Sequence, residues 1–189
     1  MFTNFIKDLD AYAFRLGLPK WNAPFMIFLY PTIWAIGVYR FGNWIHRGFD
    51  VPIIKQILYI IYFVLKRITE ILTSVEIAHK ADIGEGLFLG HRNIVIGNSV
   101  IGNNASFHAD VTIGGAGRGT DHGTPVIGDS VYFGAGAKVI GKLKVGNNVL
   151  IAANAVVVKN VPDNAVVGGV PAKVLNYNGS SDYIHFREK

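Results

Sequence analysis

IGNSVIGNNASFHADVTIGG (96–115) and IGDSVYFGAGAKVIGKLKVGNNVLIAANAVVVKNVP (127–162) share one period, and that period decides the fold. An aliphatic residue or Phe returns at every sixth position: Ile77, Ile83, Leu89, Val95, Ile101, Phe107 and Ile113, then after a break Ile127, Phe133, Val139, Val145, Ile151 and Val157. A repeat this short is neither a helical hairpin nor a propeller blade. It suits a β-solenoid whose coil has three flat strands and three corners, so that 18 residues return the chain to the same face. Each sixth residue then points inward and stacks on its counterpart about 4.8 Å away. Corners need φ > 0, which Gly and Asn tolerate, and Gly102-Asn103-Asn104 and Gly146-Asn147-Asn148 stand there.

These segments, with GGVPAKVL (168–175), resemble the hexapeptide-repeat acyltransferases, and most of all the serine acetyltransferase branch, over roughly Val75 to Leu175. The resemblance implies an all-β solenoid of one particular kind, a left-handed parallel β-helix, against the usual right-handed crossover. It also implies acetyl-CoA as acyl donor and a homotrimer whose site is shared between neighbouring subunits. The chain then divides into an N-terminal apolar helical region (1–74), a β-helix catalytic domain (75–175) with a protruding loop (114–126), and a C-terminal tail (176–189).

At 189 residues and 50% hydrophobic, the chain has room for one catalytic unit with a helical preface. It has no cysteine, which excludes disulfides and thiolate metal sites and fits the cytoplasm. A net charge of +5 favours an anionic ligand or surface. Nucleic acid is a poor partner, because no basic run or aromatic-basic interleaving appears.

Residues 1–72 crowd aromatic and aliphatic side chains into two or three apolar helices. Trp21 to Tyr39 is uncharged over 19 residues, yet Pro24, Pro31, Asn22 and Gly37 interrupt it, and the second uncharged run, Gln56 to Leu65, holds only ten. The acids of MFTNFIKDLD (1–10) oppose a secretory signal. The favoured reading is a cap over the open end of the β-helix that packs against neighbouring subunits. The rival is peripheral contact with the inner face of a membrane, in which Arg40, Arg47, Lys55, Lys66 and Arg67 meet anionic lipid.

Coil arithmetic places Glu76, His91 and His108 on one edge. Glu76 precedes His91 by 15 residues, one coil less three, which would let the carboxylate orient the imidazole as a base-and-orienter pair. In the resembling enzymes an Asp stands at the position of Glu76 and the histidine at the position of His91 is the general base. For His108 a purely structural role is favoured, with acceptor binding as the functional alternative. The register slips between Ile113 and Ile127, a spacing of 14 where 12 would continue it, and GGAGRGTDHGTP (114–125) fills the gap as a loop. The resemblance carries the loop histidine's active-site role to His122.

Ala135 and Ala153, 18 apart on successive coils, would leave a groove for the pantetheine arm of CoA; Gly117 stands 18 before Ala135, although the loop breaks that register, with Gly115 beside it. Lys138, Lys142, Lys144, Lys159 and Lys173 place cations near the last coils for its phosphates. No metal is expected, since no two histidines are five residues apart as in the zinc hydratases built on this fold.

The acceptor is read from two departures. The resembling serine enzymes have Asp directly before the catalytic His and Arg directly before the loop His, and this chain has Gly90 and Asp121. An anion in place of the carboxylate-gripping cation points away from a zwitterion. The expectation is therefore O-acetylation of a neutral acceptor, a sugar of a surface polysaccharide or its precursor. Serine acetylation and a non-catalytic binding solenoid are the alternatives.

Overall fold

The computed structural model describes residues 2–48, 50–117 and 123–184. Helices come first: α1 (Phe2–Arg15), a 3-10 segment (Lys20–Phe25), α2 (Met26–Leu29), α3 (Thr32–Gly48) and α4 (Pro52–Thr73). Pro24 lies within the 3-10 segment and Pro31 directly before α3, so the long uncharged run is broken rather than continuous. Among the described residues no single helix is long and apolar enough to cross a membrane. The pair Lys20–Leu29 and Thr32–Gly48 reaches that length only together, bent by 102°.

Strands follow: β1 (Val75–Ile77), β2 (Asp82–Ile83), β3 (Phe88–Leu89), β4 (Ile94–Ile96), β5 (Val100–Ile101), β6 (Ser106–Phe107), β7 (Thr112–Gly114), β8 (Val126–Ile127), β9 (Tyr132–Phe133), β10 (Lys138–Ile140), β11 (Lys144–Val145), β12 (Leu150–Ile151), β13 (Val156–Val157), β14 (Val166–Gly168) and β15 (Lys173–Asn176). They form a three-faced prism, a parallel β-solenoid. The first face runs β1-β4-β7-β10-β13, the second β2-β5-β8-β11, and the third β3-β6-β9-β12-β14, with β15 antiparallel on its end. Beyond β15, Ser180 donates its hydroxyl to the Ser130 carbonyl at 2.6 Å and Ile184 is buried, so this part of the C-terminal segment packs against the stack.

Twelve members of the sixfold series are buried, and stacked pairs such as Phe107 and Phe133, 4.4 Å apart, fill the prism. Val95 is the exception at 41% exposed, with its neighbours Ile94 and Ile96 pointing inward instead. The cause is the corner His91-Arg92-Asn93, which holds one more residue than the period allows and turns through Asn93 at φ 62°. Val75 therefore pairs with Ile94, 19 residues on, and the next coil recovers by pairing Val95 with Thr112.

At the corner between the second and third faces, Asn104 and Asn148 adopt the expected positive φ. Their neighbours Asn103 and Asn147 alternate with Asp129 and Asp163 in a side-chain ladder.

The helices lock onto the first coils through buried polar contacts. Arg40 of α3 grips Asp8 of α1 through two nitrogens, at 2.9 and 3.0 Å, and donates to the carbonyls of Ile83 and Gly84. The same carboxylate accepts from the Leu87 amide at 2.9 Å. Burial pushes the Asp8 carboxyl up, against the pull of the Arg40 guanidinium. Arg40 thus faces the interior and not lipid. Arg47 pairs with Asp82, and Lys66 and Arg67 with Glu70, so four of the five cations assigned to a lipid surface have partners within the chain.

Helix α4 is turned inside out. Tyr62, Thr69 and Thr73 are its buried residues, whereas Ile53, Ile57, Ile60, Val64, Ile68 and Ile71 point outward, each about half exposed or more. These recur in steps of three and four residues, the spacing of a seam between helices.

Candidate active site

Two helices hold the backbone from which the candidate base projects. Tyr12 of α1 donates its hydroxyl to the Leu89 carbonyl at 3.0 Å and accepts from the Leu89 amide at 2.9 Å, and Thr32 of α3 donates to the same carbonyl at 2.9 Å. Leu89 ends β3. Gly90 follows, with its amide donating to the Phe107 carbonyl at 2.8 Å. A Cβ on Gly90 would meet the Phe88 ring at 3.0 Å, so the tight approach of Phe88 favours glycine at this position. His91 is next, exposed at the corner between the third and first faces. It lines a cleft of about 220 Å³ with Tyr30, Pro31, Thr32, Thr73, Gly90 and Arg92.

His91 has an aromatic neighbour. Its ring lies 5.6 Å from that of His108, centroid to centroid, and His108 lies 4.9 Å from Tyr132. His108 is half-buried, and burial first, then the charges of His91 and Arg15, push its pKa below the ordinary value. An imidazole held neutral keeps one donor and one acceptor nitrogen.

Glu76 is not brought to His91. It occupies the middle of β1 on the flat of the first face, in register with Val95, four residues beyond the imidazole. Its carboxylate pairs with Lys66 of α4 at 3.7 Å, and no ion pair with His91 forms. The extra residue in the His91 corner accounts for part of this displacement. Glu76 also sits in the middle of a strand rather than at a corner.

Below His91 the corner is lined by small residues. Extending the register of the third face by two positions aligns His91, Ala109, Ala135, Ala153 and Gly169 on successive coils. Amide bonds from Gly136 to Ala109 and from Asn154 to Ala135, both 2.8 Å, tie these coils together, and Ala135 and Ala153 are exposed. Gly117 does not belong to this column. Gly115 and Gly117 lie past β7, at the corner between the first and second faces, where Gly114 accepts from Gly141 at 2.9 Å. Lys159 follows β13 at that same corner and is exposed. Asp121 and His122 lie outside the described residues. Among the described residues no cluster of three or more His, Asp or Glu is placed to hold a metal.

Sequence reasoning missed Arg15 and Tyr132. Both come to the site laterally, Arg15 from the end of α1 and Tyr132 from the outward side of β9, and neither follows the sixfold period. The one signal was a lone arginine in the otherwise apolar AYAFRLGL (11–18).

The pattern described as "Bacterial transferase hexapeptide (six repeats)" matches residues 124–159. A Helicobacter pylori serine acetyltransferase (strain J99) is 36% identical over 158 residues, covering 82% of this chain and 86% of that protein. The chain belongs to the serine acetyltransferase family. A Synechococcus elongatus member is 33% identical over 156 residues, 82% of this chain, and the match spans 61% of its length. A serine acetyltransferase solved in complex with CoA superposes with a TM-score of 0.74 at 31% identity, covering 92% of this chain and 68% of that one.

These relatives overturn the expectation of a neutral sugar acceptor and a role in polysaccharide synthesis. Each is named for serine, although this family member has Gly90 and Asp121 where the motif was expected to grip the amino acid. A cation lost at one chain position need not be lost from the site. In a solenoid capped by helices, a cation can arrive from another element.

Proposed function

We propose that the protein transfers an acetyl group from acetyl-CoA to the hydroxyl of serine, with His91 as general base. The observation that carries this reading is the exposed imidazole at the head of the Ala109–Ala135–Ala153–Gly169 column. Small side chains leave an open strip along which an extended pantetheine arm would place its thioester beside His91. The relative solved with CoA supports the donor, and the names of the relatives support the acceptor.

In this reaction the imidazole takes the proton of the serine hydroxyl while the oxygen attacks the thioester carbonyl. The carbon–sulfur bond breaks, and the departing thiolate recovers the proton from the imidazolium. O-acetylserine and free CoA thiol result. The developing oxyanion is met by backbone amides of Gly114-Gly115 or by His122. Gly115, Gly117 and Lys159 stand at a different corner of the prism from Ala135 and Ala153. A homotrimer reunites the two corners across the subunit boundary and covers the outward face of α4. The work is cytoplasmic, where acetyl-CoA is available.

A thiol-release assay with acetyl-CoA, comparing serine with a panel of sugars, tests the reading. Release that depends on serine and is lost in His91→Ala supports it. Release with sugars alone, or undiminished turnover in His91→Ala, overturns it.

A further inference from the structure

Arg15 ends α1 and lies against the outside of the third face. Its guanidinium carbon is 3.8 Å from the centre of the Phe88 ring, and one terminal nitrogen donates to the Ser106 hydroxyl at 2.9 Å. Its Nε is buried without a hydrogen-bond partner. Among the described residues, Arg40, Arg47 and Arg67 each have a carboxylate, and Arg15 has none. Arg92 also lacks one, but it is exposed and donates to the Leu72 carbonyl, so water and that carbonyl satisfy it. Arg15 is mostly removed from water. Burial lowers its pKa to about 10, and the side chains acting on its charge are the hydroxyls of Tyr12 and Tyr132. A cation withdrawn from water with a single neutral acceptor is costly to keep unless an anion joins it.

Its surroundings place that anion next to the chemistry. Ser106 is one position from Phe107 and two from His108, and both Arg15 and His91 act on the charge of His108. Arg15, His108 and His91 therefore form an arc on the third face, running from an unmatched cation to the candidate base. A neutral His108 between them adds no second positive charge.

Resting on serine as the acceptor, we infer that Arg15 is the receptor for the acceptor's carboxylate, with Ser106 and His108 beside it and the acceptor hydroxyl directed to His91. The guanidinium fork suits a carboxylate geometrically, and it supplies from a helix the cation missing at position 121.

Steady-state thiol release is measured with serine and with serinamide, which keeps the hydroxyl and amine but replaces the carboxylate with a neutral amide. In Arg15→Gln the KM for serine is expected to rise by roughly 10- to 100-fold, the range for a lost charged hydrogen bond, while the KM for serinamide stays within about twofold. Arg15→Lys keeps the charge without the fork and falls between, and a melting temperature for each variant shows that it is folded. If Arg15→Gln does not fold, the comparison rests on Arg15→Lys, which must still affect serine more than serinamide. Equal changes for both acceptors, or no change, overturn the inference and leave Arg15 as a pin between α1 and the prism. Wild-type protein that releases no thiol with serine overturns the serine reading itself.

Discussion

The rings of His91 and His108 stand 5.6 Å apart, their planes inclined at 49°. Two imidazoles this close disfavour a double positive charge, and burial adds to the cost of charging His108. Because the folded protein holds His108 below its ordinary value of 6.5, the unfolded chain binds the proton more readily. Stability should fall as pH drops through about 6.5 and stop falling only below the depressed folded value. His79 is shifted in the same direction and contributes separately. Urea midpoints between pH 7.5 and 5.5 should therefore decline in the wild type and decline less in His108→Gln. Identical slopes would show that His108 does not carry the effect.

Glu76 and His91 give a second test, because arithmetic joins them and the fold separates them. If His91 works without this carboxylate, His91→Ala should reduce turnover by about 10²- to 10⁴-fold, the range for a lost general base. Glu76→Gln, which removes an exposed pairing with Lys66, should change turnover by less than about threefold. A loss in Glu76→Gln comparable with that in His91→Ala would mean that Glu76 reaches the imidazole in the assembled enzyme.

The strip of small residues makes a prediction about the donor alone. Ala153 is exposed two coils below Ala109, so a larger side chain there meets no core atoms and costs the fold little. Ala153→Leu should raise the KM for acetyl-CoA by about tenfold, equivalent to roughly 1.4 kcal/mol. The melting temperature and the KM for serine should stay near wild type. An unchanged KM for acetyl-CoA would move the pantetheine path off this corner.

The core of the prism was legible because inward side chains must recur with the coil, and that demand is written residue by residue in the sixfold series. Val95 was misplaced because one extra corner residue shifts the phase for a single strand, and the recovery at Ile101 hides the slip from any count of period. Gly117 stands off the alanine column for a related reason. An 18-residue separation preserves a corner only where no loop intervenes, and residues 114–125 intervene. Arg15 and Tyr132 were invisible because a helix laid on a sheet obeys its own geometry. The acceptor was misread because specificity was sought in consecutive residues, while side chains from α1, β6 and β9 also lie near the His91 corner.

Helix α4 offers the last test. Its outward stripe of Ile53, Ile57, Ile60, Val64, Ile68 and Ile71 is apolar, while Lys66 and Arg67 near its end pair with Glu70 and Glu76. Lipid attraction would need free positive charge along this face, whereas a neighbouring subunit needs only a matching apolar seam. Replacing Ile60 and Ile71 together with Glu should shift the protein from trimer to monomer in sedimentation velocity. Activity should fall with it if the proposed trimer brings the corner of Gly115 and Lys159 to the His91 corner of a neighbouring subunit. Trimers that persist in this double variant, together with wild-type binding to anionic vesicles that the variant loses, would assign the face to a membrane instead.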